Sequence, residues 1–250
     1  VYTACYKYIH AIDSDGVGRA VPEESMTMTD IHGVPSCPFS MADERGIGAV
    51  LYANSSDDCE KLGRPIVSVF GGSAGVANYL MDGVTAKKVL IGGSYRLAHS
   101  AGKAIRTGIA NGEVPARCVA KAIGGIEIIV GTVTELAIET INSHDWGYQI
   151  IKGTGKYEGQ QMKIFIENEN IIAFDQDNKV RAISPDALCV MKTNGSPLTN
   201  ADLEIGMEVV FIGVKCHERW LEGDAMAVYK PALKHFGYEG PYIPVDELNK

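Results

Sequence analysis

Between Ile12 and Glu24 the chain gathers Asp13, Asp15, Arg19, Glu23 and Glu24 around Gly16 and Gly18, directly after a short apolar run. Charges at this density are costly to desolvate unless they are paired or wet. Glycines at this spacing let a backbone turn sharply or approach a ligand closely. Acids on a glycine turn at the end of a strand suit general acid–base chemistry in an α/β protein. On that reading Asp15 is the first choice of general base and Glu23 its alternate. The same residues also suit a solvated loop braced by an Asp–Arg pair, and their spacing leaves both readings open.

Further chemistry-bearing residues follow. His32, in Asp30-Ile31-His32-Gly33, is a candidate proton carrier, because an unperturbed imidazole titrates near pH ~6.5. With Asp13 and Asp15 it also makes a candidate set for a divalent metal, whereas a lone loop histidine is more often a local hydrogen-bonding residue. Arg19 and Arg45 are candidates to orient a substrate carbonyl or carboxylate; Arg45 has the equal alternative of pairing with Asp43 or Glu44. Gly71-Gly72-Ser73-Ala74-Gly75 reads as a turn into a helix starting at Ser73, whose free N–H groups would stabilise negative charge. It is no Walker motif, and close packing of helix on sheet is the commoner reason for such glycines. Of the histidines, none forms a zinc-protease motif, and Cys216-His217-Glu218 reads as a strand end rather than a ligand cluster. Cys37 has no visible basic partner that would activate its thiol.

The elements that must hold these residues change character along the chain. Up to about Gly125 the pattern is α/β, with strands expected at Ala49–Ala53 and Pro65–Phe70 and a short helical turn from Asp57 to Leu62. Val76, Tyr79 and Leu80 suggest a helix after Ser73. Leu97, Ala101, Ala104, Ile105 and Ile109 predict a longer one from Tyr95, closed by Gly112. Pro115 is placed to start another, through Ala122. After Gly124-Gly125 short β-branched or alternating segments separated by Gly, Asn and Asp predict an all-β unit, a small barrel or sandwich. The expected fold is thus an α/β N-terminal part with a β-rich C-terminal domain, α+β overall. Its divisions fall at residues 1–124, 125–230 and an extended tail, 231–250.

The whole composition bounds the function. At 250 residues and 46% hydrophobic, the chain has enough apolar material for two cores without covalent staples. A net charge of -8 argues against a nucleic-acid partner. No window approaches the ~18 consecutive apolar residues of a membrane span. Cys5, Cys37, Cys59, Cys118, Cys189 and Cys216 are scattered and lack a CxxC pair, which predicts reduced thiols and a cytoplasmic location. The opening Val1-Tyr2-Thr3-Ala4 reads like the middle of an element.

Taken in order, the motifs Asp13–Glu23, Met26-Thr27, Gly33-Val34-Pro35 and Ala42–Gly46 closely resemble the S-methyl thiohydantoin desulfurase family. The likeness continues through Gly71–Ala74, Gly92–Gly102, Ile166–Asn170, Pro185-Asp186, Gly206 and Phe236–Tyr238, and so spans nearly the whole chain. The resemblance implies two domains and an association with hydantoinase-type proteins. Family members are longer, so the chain is expected to lack the family's N-terminal portion. The implied function is a hydrolase acting on a small cyclic thiohydantoin- or hydantoin-like substrate, including desulfurisation of an S-methyl thiohydantoin, in a homo-oligomer. The alternative is a non-catalytic ligand-binding subunit of a hydantoinase-type complex. A purely structural scaffold ranks last, because it leaves the polar density of the first half unexplained.

Overall fold

In the computed structural model, which describes residues 6–141 and 144–250, a mixed α/β region is followed by a β-rich half-barrel, two domains of α+β architecture overall. The N-terminal region opens with a short bridge, β1 (Ser14–Asp15), and the one-turn helix α1 (Met28–Ile31). A three-stranded antiparallel sheet follows, ordered β3 (Gly48–Leu51), β2 (Phe39–Ala42), β4 (Gly75–Ala77). Helix α2 (Ser56–Val69) covers one face of it, packing Cys59, Ile66 and Val67 on Phe39, Met41, Ala49 and Leu51.

Two expectations fail here. The strand expected at Pro65–Phe70 is the last part of α2, with Pro65 inside the helix. Ser55 caps that helix by accepting from the Asp58 N–H, and Asp57 and Asp58 complement its N-terminal dipole. Ile66, Val67 and Phe70 then reach the sheet while Val69 stays 78% exposed, as expected of a helix face and not of an alternating strand. The helix expected from Ser73 is likewise absent: Gly71 and Gly72 turn with positive φ, Ser73 is exposed, and the chain runs into β4.

Helices α3 (Gly83–Val89), α4 (Ser94–Asn111) and α5 (Pro115–Ala122) complete the region, with β5 (Ile91–Gly92) paired to β1. Helix α4 ends as the sequence predicts, at Gly112, whose φ of 68° is open to glycine at little cost. Its other end has no cap of its own. Asp13, some eighty residues earlier, accepts from the N–H groups of Tyr95 (2.9 Å) and Arg96 (3.3 Å) and pairs with the Arg96 guanidinium.

The C-terminal domain is a seven-stranded antiparallel sheet ordered β10-β9-β8-β7-β6-β12-β11. The strands are β6 (Ile126–Ile141), β7 (His144–Gly153), β8 (Gln161–Glu167), β9 (Glu169–Asp175), β10 (Val180–Ile183), β11 (Ala187–Lys192) and β12 (Glu208–Val214). Ile129, Val133, Ile151, Ile164, Val209 and Phe211 fill its core and are wholly buried. The final residues carry two short helices, α6 (Lys230–His235) and α7 (Val245–Leu248). Phe236, just after α6, stacks on Phe165 of β8. The strand-like alternation after Gly125 is therefore realised, and among the described residues no helix is long and apolar enough to cross a membrane.

Candidate acid–base cleft

Helix α2 and the start of β7 form the walls of a cleft of about 700 Å³. Glu60 and Arg64 stand four residues apart, so their side chains share one helix face. Arg64 Nε donates to Glu60 Oε1 at 2.9 Å, and its Nη2 reaches the same carboxylate, the Pro22 carbonyl (3.2 Å) and His144 Nε2 (2.8 Å). Glu60 uses its other oxygen to accept the Glu24 N–H at 2.8 Å. His144 Nε2 also lies 3.8 Å from Glu23 and 3.9 Å from Glu60. Glu23, with 42% of its side chain exposed, is the accessible carboxylate of this group, whereas Glu60 and His144 are at 13% and 16%. Lys61, Asp57 and Ser68 also line the cleft.

Glu167, the last residue of β8, is only 6% exposed and within electrostatic range of Glu23. Its Oε2 has no hydrogen-bond partner among the described residues. Burial first, and then the negative charge of Glu23, push its carboxyl up to about 7. The adjoining turn is tied to the Glu23 loop, because Asn168 Nδ2 donates to the Pro22 carbonyl at 3.1 Å. Burial also raises the Glu24 carboxyl, although Asn78 donates to it at 2.9 Å.

Of the sequence-derived candidates, only Glu23 lines this cleft. Asp15 accepts the N–H groups of Val17 and Gly18, a local turn lock made without Arg19. Asp13 caps α4. His32 is exposed, and its Nδ1 donates to the Met28 carbonyl at the end of α1. Asp13, Asp15 and His32 thus each make separate local contacts, and among the described residues no group of three or more His, Cys, Asp or Glu side chains is arranged to hold a metal ion. Arg45 pairs with Asp43 within the β2–β3 hairpin. Arg19 points into the C-terminal domain, donating to Ser184 Oγ (2.7 Å) and the carbonyls of Asp186 (2.6 Å) and Asn170 (3.0 Å), with its guanidinium over the Tyr229 ring. Gly71, Gly72 and Ser73 lie on the exposed turn after α2, with no helix start to supply N–H donors.

Glu60 with Arg64, His144 and Glu167 lie far apart in the chain and carry no common motif. Their one signal in residue order is the four-residue spacing of Glu60 and Arg64, which the strand-like run from Pro65 masks.

The family model described as S-Me-THD-like, C-terminal domain, matches residues 54–245, and the S-Me-THD-like N-terminal domain model matches residues 1–53. The chain belongs to the S-Me-THD-like family. The expectation that this S-Me-THD-like chain lacks the family's N-terminal portion is overturned by the match over residues 1–53. The division between the two models falls between β3 and α2. A crystal structure of a protein from Chromobacterium violaceum, a structural-genomics target, shares the fold with a TM-score of 0.76 and 23% identity, over 97% of this chain and 68% of that one. A comparison with curated proteins finds no match.

Proposed function

We propose that this S-Me-THD-like protein is a hydrolase acting on a small cyclic thiohydantoin-like substrate in the cleft of Glu23, Glu60, Arg64 and His144. The observation that carries the reading is the accessible Glu23 carboxylate 3.8 Å from His144 Nε2, within range of the buried Glu167, whose carboxyl is pushed up to about 7. A carboxyl whose proton affinity is strongly raised by burial beside an accessible carboxylate is a mark of acid–base sites. Family membership supports the substrate class.

For an S-methyl thiohydantoin the chemistry is hydrolysis at the ring carbon that bears sulfur. Glu23 takes a proton from water as the new C–O bond forms, the C=N electron pair moves onto the ring nitrogen, and Glu23 passes that proton to the nitrogen. The C–S bond then breaks as the carbonyl closes, and the hydroxyl proton goes by way of Glu23 to the departing methanethiolate. Water is consumed and methanethiol and the hydantoin are produced. Lys61 supplies a cation on the cleft wall to orient a ring oxygen or an acidic substituent.

The test is Glu23→Gln, which keeps size and removes basicity. A general base predicts a fall of ~10²–10⁴-fold in kcat and in kcat/KM together, followed by trapping the released methanethiol with a thiol reagent. A folded variant with wild-type turnover overturns the assignment of Glu23, and ligand binding without turnover by the wild-type protein moves the reading to a binding subunit.

A further inference from the structure

Cys37 precedes β2 and Cys59 lies in the first turn of α2, yet their sulfurs are 3.1 Å apart. Cys37 is half-buried and Cys59 wholly buried. The Ala53 N–H donates to Cys37 Sγ at 3.1 Å, while Ser36 Oγ sits 3.5 Å from Cys59 Sγ. The Cys59 thiol, followed by the Ala53 N–H, holds the Cys37 thiol below its ordinary range, whereas burial pushes Cys59 up. Among the five described cysteines Cys37 alone shifts downward. A half-buried sulfur 3.1 Å from a second thiol and contacted by a backbone N–H, with its thiol held below the ordinary range, has the features of a sensor cysteine and its resolving partner.

We propose that Cys37 and Cys59 form a two-electron redox site that a hydroperoxide converts to an intramolecular disulfide. The Cys37 thiolate attacks the peroxide oxygen, an S–O bond forms, the O–O bond breaks, and the departing alkoxide or hydroxide takes up a proton. Cys59 sulfur then attacks the Cys37 sulfenic acid. The S–S bond forms, the S–O bond breaks, and hydroxide leaves with the Cys59 proton as water. Two thiols are oxidised and one peroxide is reduced to an alcohol (or water) and a water. The site is independent of the cleft chemistry, although the bond would tether α2 one residue before Glu60.

The experiment treats the full chain with hydrogen peroxide, denatures it in an alkylating agent and maps the peptides. The alkylatable thiols are expected to fall from six to four, with the Cys37 and Cys59 peptides recovered as one linked species that dithiothreitol separates. Cys37→Ser abolishes the link and leaves Cys59 alkylated, while Cys118→Ser preserves it. Recovery of Cys37 as a sulfinic acid, or joined to another cysteine while Cys59 remains a thiol, overturns the proposal, as does the absence of any link. The wild-type peptide map decides the question even if a variant fails to fold.

Discussion

Arg64 donates to His144 Nε2 at 2.8 Å, joining a helix of the N-terminal region to the first residue of a strand in the C-terminal domain. A guanidinium has no acceptor and keeps its charge. Nε2 must therefore accept, which puts the ring proton on Nδ1. Nitrogen chemical shifts of His144 should report that tautomer in the wild-type protein and lose it in Arg64→Met. The same substitution strands the mostly buried Glu60 carboxylate, and denaturant melts should show a loss of about 2–4 kcal/mol.

Glu167 makes stability depend on pH in a stated direction. Its folded pKa lies above the ordinary 4.5, at about 7. Its contribution is therefore fully present below about pH 4.5, declines as the unfolded chain ionises, and is lost as pH rises through about 7. The span corresponds to roughly 3 kcal/mol at most. Glu167→Gln should be more stable than wild type by up to that amount at about pH 8, with the gain shrinking towards about pH 4.5. Urea midpoints across this range check it, and a gain that is flat with pH would show that the carboxyl carries no such penalty.

Asp15 gives the opposite test from Glu23. An asparagine oxygen can still accept the Val17 and Gly18 N–H groups, so Asp15→Asn should keep the turn and leave turnover close to wild type. Asp15→Ala should lower the melting temperature without the joint fall in kcat and kcat/KM expected of Glu23→Gln. A large loss of kcat in a folded Asp15→Asn protein would return the base to Asp15.

The C-terminal sheet was legible because Met162, Ile164 and Ile166 alternate with more polar positions, and Gly and Asp-Asn turns bound the strands. Helix α4 was legible from its apolar period and Gly112. Helix α2 was not, because Pro65 followed by Ile66, Val67 and Val69 imitates a buried strand. The cleft was harder still. Glu23, Glu60, His144 and Glu167 are brought together by tertiary packing, and the proton affinity of Glu167 comes from burial, which residue order does not display. Arg19 and Asp15 carry the residue types of a site, but here their hydrogen bonds hold backbone.

Arg19 offers a stability test of that last point. Arg19→Met would leave the Asp186 and Asn170 carbonyls and the buried Ser184 hydroxyl without their donor. A loss of about 2–4 kcal/mol is expected, read as a lower urea midpoint, with KM for the ring substrate little changed. A raised KM at unchanged stability would instead make Arg19 a substrate ligand.

The Trp220 indole N–H donates to the Val17 carbonyl at 2.9 Å, across 203 residues of chain. On a ribosome the loop that bears Val17 emerges long before Trp220 exists. Domains ordinarily fold as they are made, N-terminal first, but this loop must wait for the far end of the molecule to supply its donor. Contacts of such long separation also slow folding, because the chain must close the loop before the contact forms. The Val17 loop therefore cannot complete its hydrogen bonding until Trp220 is made, and a nascent chain halted before residue 220 should leave that loop open to proteases.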